Sequence, residues 1–181
     1  MGDALAALIV LIVFVASAAL FARRDPRAHA NDEHGLPVEL HGAQVAYAEK
    51  TFRSQRGRLV ARLDRAYRVD GALSLVELKT RERDAVYMSD VIGLSVQRIA
   101  LQDQTKELVS TDAWVVVQSA SSGVRRPHKV RLMSEGEVTA MRARYQAVIV
   151  GKARDPRPAR SLTQCAHCAH RNRCSAAFKD R

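Results

Sequence analysis

The sequence predicts an α/β (α+β) fold, a mixed β-sheet core flanked by helices and preceded by one N-terminal transmembrane helix. Three observations predict it: an uncharged apolar run near the N-terminus, three strand-like segments joined by short turns, and a segment of helical period followed by another apolar strand. Hydrophobic residues make up 47% of the 181 residues, which excludes a wholly disordered chain. The three cysteines all lie within residues 165–174, which excludes a disulfide-stapled miniprotein.

The apolar run covers residues 4–22, ALAALIVLIVFVASAALFA, and contains no charge. Such a run spans most of a hydrocarbon core of about 30 Å. A signal peptide normally starts with a basic region, whereas here only Asp3 precedes the run; small residues at 16–19 keep cleavage open as an alternative. Three arginines follow the run: Arg23, Arg24 and Arg27. The positive-inside rule therefore predicts a single-pass membrane protein whose soluble part faces the cytoplasm.

The rest of the chain divides by composition. We expect an anchor over residues 1–24, a polar tether over 25–38, a compact domain over 39–160, and a cysteine cluster with a basic tail over 161–181.

Three strands are predicted at the start of the compact domain. VAYAEKTF follows Gln44, a polar turn at residues 54–57 leads into LVARLDRAYRV, and Asp70 with Gly71 forms a tight turn before LSLVELKT. Helical spacing then covers residues 86–107, with its apolar side marked by the following residues: Met88, Val91, Ile92, Ser95, Ile99 and Leu101. Residues 114–117 and 128–133 read as two further strands, and Ser134 with Glu137 forms the capping box of a last helix.

The charge of the chain points to a polyanionic partner. The formal net charge is +10 and the sequence pI is about 10.2. Residues 121–133 contain four basic residues and no acidic one, and residues 152–181 contain eight basic residues against two acidic ones. Such patches neutralise phosphates, either of nucleic acid or of an anionic membrane surface, and the arginine-rich composition favours DNA.

Two carboxylates and a lysine form the strongest constellation within the predicted hairpin. Glu77 and Lys79 lie two residues apart, so both side chains leave the same face of one strand, and Asp64 lies in the neighbouring strand. Carboxylate oxygens can hold a divalent cation, and the lysine can orient a water or stabilise charge on a phosphate. Taken alone, the same residues also fit a solvated strand face with cross-strand ion pairs.

Residues 61–81, ARLDRAYRVDGALSLVELKTR, resemble the core of the PD-(D/E)XK nuclease superfamily, within its RecB-like branch that includes the CRISPR-associated exonucleases. Asp64 and Arg65 match its first element, and Glu77, Leu78 and Lys79 match its (D/E)-x-K element. The resemblance covers roughly residues 39–174. It implies a restriction-endonuclease-like fold and a metal-dependent DNA nuclease, in which Asp64 and Glu77 bind Mg²⁺ or Mn²⁺ and Lys79 serves the attacking water or the phosphate.

The resemblance also suggests supporting residues. Gln97 matches the glutamine of the branch's Q-x-x-x-Y motif, although Leu101 replaces the tyrosine. An upstream histidine often supplies a third metal ligand, for which His41 is preferred over His34, and Glu49 is a further acidic candidate. Basic residues near these motifs are the expected DNA contacts: Arg65, Arg81, Arg125, Arg126 and Lys129.

The cysteines follow the spacing C-x2-C-x5-C, with Cys165, Cys168 and Cys174 as its members. Three thiolates this close suggest soft-metal ligation. The iron–sulfur nucleases of the RecB-like branch carry this spacing, with a fourth cysteine upstream that this sequence lacks, so a 4Fe-4S cluster is one expectation. A zinc site completed by His167 or His170 is the other, and three unligated thiols are the plain alternative.

The altered glutamine motif and the missing fourth cysteine favour a second function, a catalytically inactive nuclease-fold module that binds DNA. A zinc-stabilised adaptor at the membrane, which binds protein partners, is a third.

Overall fold

A computed structural model describes residues 35–152, 162–166, 168–169 and 171–173. The predicted transmembrane helix and most of the predicted tether lie outside these residues. No helix in the described ranges is long and apolar enough to cross a membrane. The chain forms two compact units, one ending at Met133 and one beginning at Ser134, so the predicted domain over residues 39–160 extends into the second unit.

The first unit is built on a five-stranded mixed sheet, as the sequence predicts. Its strands are, in chain order, β1 (Gln44–Ser54), β2 (Leu59–Val69), β3 (Ala72–Arg81), β4 (Asp112–Ser119) and β5 (Arg125–Arg131). The strands lie in the sheet in the same order, β1-β2-β3-β4-β5. The β3–β4 pair is parallel and the other three pairs are antiparallel. β5 begins three residues earlier than its apolar alternation predicts, because its first residues are arginines that pair through their backbone.

The tight turn predicted between β2 and β3 is present. Val69 pairs with Ala72, and the two residues between them have positive φ, 48° at Asp70 and 79° at Gly71. Two successive positive φ angles define the type I′ turn, whose twist matches that of antiparallel strands. This short turn holds β2, which carries Asp64, beside β3, which carries Glu77.

Helix α1 (Met88–Thr105) follows β3 and packs across β1, β2 and β3, so the parallel β3–β4 pair is joined by a helical crossover. Its buried side chains Leu94, Ala100 and Leu101 join those of β3 in the main hydrophobic core. The predicted apolar side of this helix was partly wrong. Met88 is 67% exposed, whereas Leu94, which the predicted apolar side omits, is fully buried.

The opposite face of the sheet carries a second hydrophobic cluster. Its members are Leu40, Tyr67, Val76, Trp114 and Val116, and Leu40 belongs to a short 3-10 helix (Val38–Leu40) that precedes β1. The sheet is thus buried on both faces around β3 and β4. Leu78, the next residue of β3 on this second face, is 41% exposed and lies beyond the cluster.

The second unit begins with helix α2 (Glu135–Ile149). The predicted capping box is present, because Ser134 Oγ accepts the Glu137 N–H at 3.2 Å and Glu137 Oε2 accepts the Ser134 N–H at 2.8 Å. Of its apolar residues Val138 is buried, whereas Tyr145 is 66% exposed. A five-residue helix α3 (Leu162–Ala166) and a 3-10 turn (Arg171–Arg173) lie further along the chain.

Candidate active site

The candidate site lies where β3 loses one of its two neighbours. The pairing of β2 with β3 runs from Val69 opposite Ala72 to Arg65 opposite Val76. β3 continues to Arg81 with β4 alone on its other side. Its Leu78 N–H donates to the Asp64 carboxylate, at 3.1 Å from Oδ2. A side chain of β2 therefore takes the place of a backbone acceptor at the point where the two strands separate.

An irregularity in β2 directs Asp64 to this position. Leu63 and Ala66 both belong to the main core although they are three residues apart, so the alternation of faces breaks between them. On β1, the residue opposite this break, Glu49, has a φ of 49°. The sequence predicts that Asp64 shares a sheet face with Glu77 and Lys79. The structure instead brings Asp64 to the edge of β3 through the break in alternation.

Glu77 and Lys79 do share one face of β3, the face covered by α1. Glu77 Oε1 accepts from Lys79 Nζ at 2.5 Å, and Glu77 Oε2 accepts from Gln97 Nε2 at 2.8 Å. The glutamine lies in the middle of α1 and is buried. Three residues singled out from sequence, on two elements joined by a loop, are thus in direct contact, and both oxygens of the Glu77 carboxylate are oriented.

Gln97 brings an unused acceptor to this contact. Its Oε1 atom is buried and has no hydrogen-bond partner among the described residues. A buried carbonyl oxygen without a donor costs free energy, of the order of 1–3 kcal/mol. The side chain is held by its amide nitrogen on Glu77, which leaves this oxygen without a donor among the described residues.

The electrostatics of the site couple the two acids. Burial, followed by the charge of Glu77, raises the pKa of Asp64 above its usual range, and the Leu78 N–H opposes this only in part. The hydrogen bond to Glu77 raises the pKa of Lys79 and outweighs its partial burial. At neutral pH the site therefore holds a firmly protonated lysine, and its surroundings disfavour the negative charge of Asp64.

This donor set fits Mg²⁺ or Mn²⁺. Mg²⁺ is commonly bound through one or two carboxylates, with water and substrate phosphates completing its octahedron. Asp64 and Glu77 supply two carboxylates, and the amide nitrogen of Gln97 holds the Glu77 carboxylate in place. Within the described part of the chain, no three His, Cys, Asp or Glu side chains are grouped closely enough to form a metal site by themselves.

The proposed third ligand, His41, lies at the end of the 3-10 helix before β1. Its Nε2 is 3.2 Å from the carbonyl oxygen of Leu36, and it belongs to no group with Asp64 and Glu77. Glu49 is associated with Asp64, unlike His41. It lines the same cavity as Asp64, and its negative charge contributes to the raised pKa of Asp64. Its carboxylate also pairs with Arg62 at 2.8 Å. His34 lies outside the described residues.

Arg81, a predicted DNA contact, forms a bidentate ion pair with Asp90 at the start of α1, at 2.9 and 3.0 Å. Its guanidinium also lies 4.7 Å from the centre of the Tyr87 ring. Asp90 is buried and accepts the Tyr87 N–H at 2.9 Å, and it was missed by sequence reasoning. Its position in the first turn of a helix, where carboxylates are favoured, is the signal that could have identified it. This pair fastens α1 to the end of β3.

The basic strand β5 is partly neutralised by acids from distant segments. Arg126 Nη1 and His128 Nε2 lie 3.0 and 2.6 Å from the carboxylate of Asp84, and the Arg126 and His128 hydrogen bonds lower the pKa of that residue. On the other face, Lys129 lies 3.7 Å from Asp112, and Arg125 donates to Gln118 Oε1 at 2.9 Å. The sequence of residues 121–133 contains no acidic residue, because the acids that contact this strand, Asp84 and Asp112, come from other parts of the chain.

Two of the three cysteines are described. Cys165 lies in α3, and Cys168 follows it in a turn closed by a hydrogen bond from the Cys168 N–H to the Cys165 carbonyl at 3.2 Å. Both are free thiols in the structure. Cys174, His167 and His170 lie outside the described residues, so the metal expected at this cluster stays a prediction.

Comparisons with known proteins give one family match and one structural likeness. The family model for the PD-(D/E)XK nuclease superfamily matches residues 14–175. The crystal structure of SSO0001 is similar with a TM-score of 0.44 and 12% sequence identity. That likeness covers 74% of this chain but only 61% of the other, so the chain spans less than two thirds of its length. None of the curated proteins matches. Because the family model covers most of the sequence, this chain belongs to the PD-(D/E)XK nuclease superfamily.

Proposed function

We propose that this protein is a metal-dependent DNA nuclease that hydrolyses phosphodiester bonds, with an exonuclease-like preference for single-stranded DNA or DNA ends. The observation that carries the proposal is the contact of Glu77 with both Lys79 and Gln97, beside the strand edge held by Asp64. This contact joins the acidic, basic and amide groups that phosphodiester hydrolysis requires.

Asp64 and Glu77 would hold Mg²⁺ or Mn²⁺, which when bound lowers the pKa of an attacking water and stabilises charge on the phosphate. Lys79 is protonated at neutral pH and lies next to Glu77, so its ammonium can orient the water or offset charge that develops on the phosphate oxygens. Gln97 holds the Glu77 carboxylate in place from α1 through its amide nitrogen.

Cleavage by the full-length chain tests this proposal. Labelled single-stranded DNA with Mn²⁺ is compared among the natural protein, Asp64→Ala and Lys79→Ala. Loss of one charge-stabilising donor typically costs 10²–10³-fold in rate, and we expect about that loss for Lys79→Ala. Lys106→Asn is the matched control. Lys106 is an exposed lysine with a φ of 64°, which asparagine tolerates, and we expect it to keep full activity. Equal cleavage by all four proteins would contradict the proposal.

A second candidate is a nuclease-fold module that binds DNA without cleaving it. It is favoured by the described part of the chain having no group of three metal-ligating side chains, and by the ion pair that engages Lys79. This function predicts DNA binding in a chelating buffer and no cleavage by the natural protein with either metal. A zinc-stabilised adaptor predicts neither DNA binding nor cleavage.

Two further parts of the proposal are supported by the sequence. The apolar run over residues 4–22 would anchor the protein in a membrane with the nuclease unit in the cytoplasm. Cys165, Cys168 and Cys174 would bind an iron–sulfur cluster or zinc. Fractionation of cells tests the anchor. Absorbance near about 400 nm in anaerobically purified protein would indicate iron–thiolate ligation, and zinc without that absorbance would indicate the alternative.

A further inference from the structure

A cavity of about 190 Å³ lies against β2, β3 and β4 on the side of the sheet away from α1. Its inner wall is formed by the buried apolar side chains of the second cluster, Tyr67, Val76 and Val116. Leu78 lines it as well and is 41% exposed. Most small-molecule pockets measure about 300–1,000 Å³, so this cavity suits one planar group and not a whole nucleotide.

Charged groups of both signs share this cavity with the apolar wall. Asp64 and Glu49 contribute carboxylates, and Arg65 and Arg125 contribute guanidinium groups. A simple anion is disfavoured there by the two carboxylates, and an acyl chain is disfavoured by all four charges. A nucleobase fits both features, because it combines an apolar face with amino groups that donate to carboxylates and carbonyl oxygens that accept from arginines.

We propose that this cavity receives one unpaired nucleobase of the substrate DNA, on the opposite face of β3 from Glu77 and Lys79 and beside Asp64 at the strand edge. This inference rests on the proposed function, since Asp64 both lines the cavity and holds the edge of the candidate active site. A base inside a duplex cannot enter, because its polar edge is engaged by its partner strand and its faces are stacked. The cavity therefore selects single-stranded DNA or a frayed end.

The test measures binding of oligonucleotides to the full-length chain by fluorescence anisotropy, in a chelating buffer in which no metal-dependent cleavage occurs. A single-stranded 12-mer is compared with a series in which one nucleotide at a time lacks its base. We expect one position at which removal of the base weakens binding by about tenfold, within the range of base stacking on protein side chains. A series in which every position has the same affinity would overturn the inference.

Leu78→Trp is the complementary variant, because an indole at this position would fill the cavity. Thr80→Trp is its control, on the same face and strand, two residues further on, exposed and outside the cavity. We expect Leu78→Trp to bind the intact 12-mer about tenfold more weakly than the natural protein does. Its affinity for the oligonucleotide that lacks the critical base should be unchanged. Equal affinities of the two variants for the intact 12-mer would also overturn the inference.

These results separate the inference from the function on which it rests. Metal-dependent cleavage with a uniform base-removal series would leave the nuclease intact and remove the base cavity. A chain that binds no oligonucleotide in the chelating buffer would overturn the inference, whereas only the absence of cleavage with Mn²⁺ or Mg²⁺ would contradict the nuclease. The base-removal series uses the natural protein, so it decides the matter even where Leu78→Trp fails to fold.

Discussion

The two halves of β3 differ in what holds them. The first half, residues 72–76, pairs with β2, and its side chains Leu73 and Leu75 are fully buried, so we call it the core half. The second half, residues 77–81, pairs with β4 alone and is called the open half. It carries Glu77, Lys79 and Arg81 on the face that the core half uses for the hydrophobic core. The same face of β3 therefore carries buried leucines in its first half and the polar residues of the candidate site in its second half.

The difference shows how a sheet can position polar groups without losing its fold. The departure of β2 frees the Leu78 N–H, which would otherwise need a backbone acceptor, and Asp64 satisfies it. The buried side chains of the core half hold the backbone of β3 in place, and the residues of the open half continue from that fixed backbone. We therefore expect substitutions of the buried leucines in the first half to change stability, and substitutions of Glu77 or Lys79 in the second half to change chemistry. Arg81, at the end of the strand, is the exception, because its ion pair with Asp90 supports the fold.

The largest stability effect is expected for Leu75→Ala in the core half. Removing a fully buried leucine side chain typically costs 2–5 kcal/mol, and we expect a loss of about 3 kcal/mol in the free energy of unfolding. Leu78→Ala in the open half is the matched control and should cost less than about 1 kcal/mol, since that side chain is 41% exposed. Urea denaturation measures both, and equal losses would contradict the division of the strand.

Arg81→Ala tests the end of the open half. It leaves Asp90 as a buried carboxylate without its ion pair, and we expect a loss of about 2–3 kcal/mol, below the cost for fully buried pairs because Arg81 is partly exposed. Burial acts to raise the pKa of Asp90, but hydrogen bonds from Arg81 and the Tyr87 N–H outweigh it and lower that pKa.

The stabilisation from Asp90 is therefore present at neutral pH and is lost as the pH falls through its lowered pKa. The difference between Arg81→Ala and the natural protein should shrink over that acidic range. Arg126→Ala, which removes an exposed partner of Asp84, is the control and should leave the unfolding midpoint unchanged. A loss for Arg81→Ala that is the same at all pH values would show that the ion pair is not its cause.

Asp64→Asn is expected to increase the free energy of unfolding slightly, whereas the substitutions above decrease it. The raised pKa of Asp64 means that its ionised form destabilises the fold at pH values above that pKa. Asparagine keeps an acceptor for the Leu78 N–H and removes the charge, so the variant should be more stable at pH 7, by less than about 1 kcal/mol because the group is partly exposed. The gain should vanish as the pH falls below the ordinary pKa of an aspartate. A destabilised variant at pH 7 would contradict this account of the site.

Much of the fold could be predicted from sequence because its signals are local. The strand signals of β1 to β3, the Asp70 and Gly71 turn and the Ser134 capping box each act over a few residues. Each of these elements is present, although the alternation in β2 breaks between Leu63 and Ala66. The apolar face of α1 was harder to predict. Its hydrophobic residues lie on more than one side of the helix, and only the packing against the sheet shows that Met88 is exposed and Leu94 is buried.

The site was predictable where it depends on spacing and not where it depends on strand irregularity. The two-residue interval of Glu77 and Lys79 places them together on any strand, and Gln97 reaches them through the crossover helix. The break in alternation beside Asp64 has no sequence signal, because no glycine or proline marks it. The acids that face the basic strand were missed for a related reason, since Asp84 is 42 residues from Arg126.

The most direct test of a metal-dependent site at the open half of β3 is calorimetric titration of the full-length chain with Mn²⁺, comparing the natural protein with Glu77→Gln. The glutamine keeps the size of the side chain and removes the charge that would hold the cation. We predict that heat from a Mn²⁺ site in the natural protein is lost in Glu77→Gln, while any binding elsewhere in the chain is common to both. Identical titrations of the two proteins would contradict the central claim that Glu77 is a metal ligand.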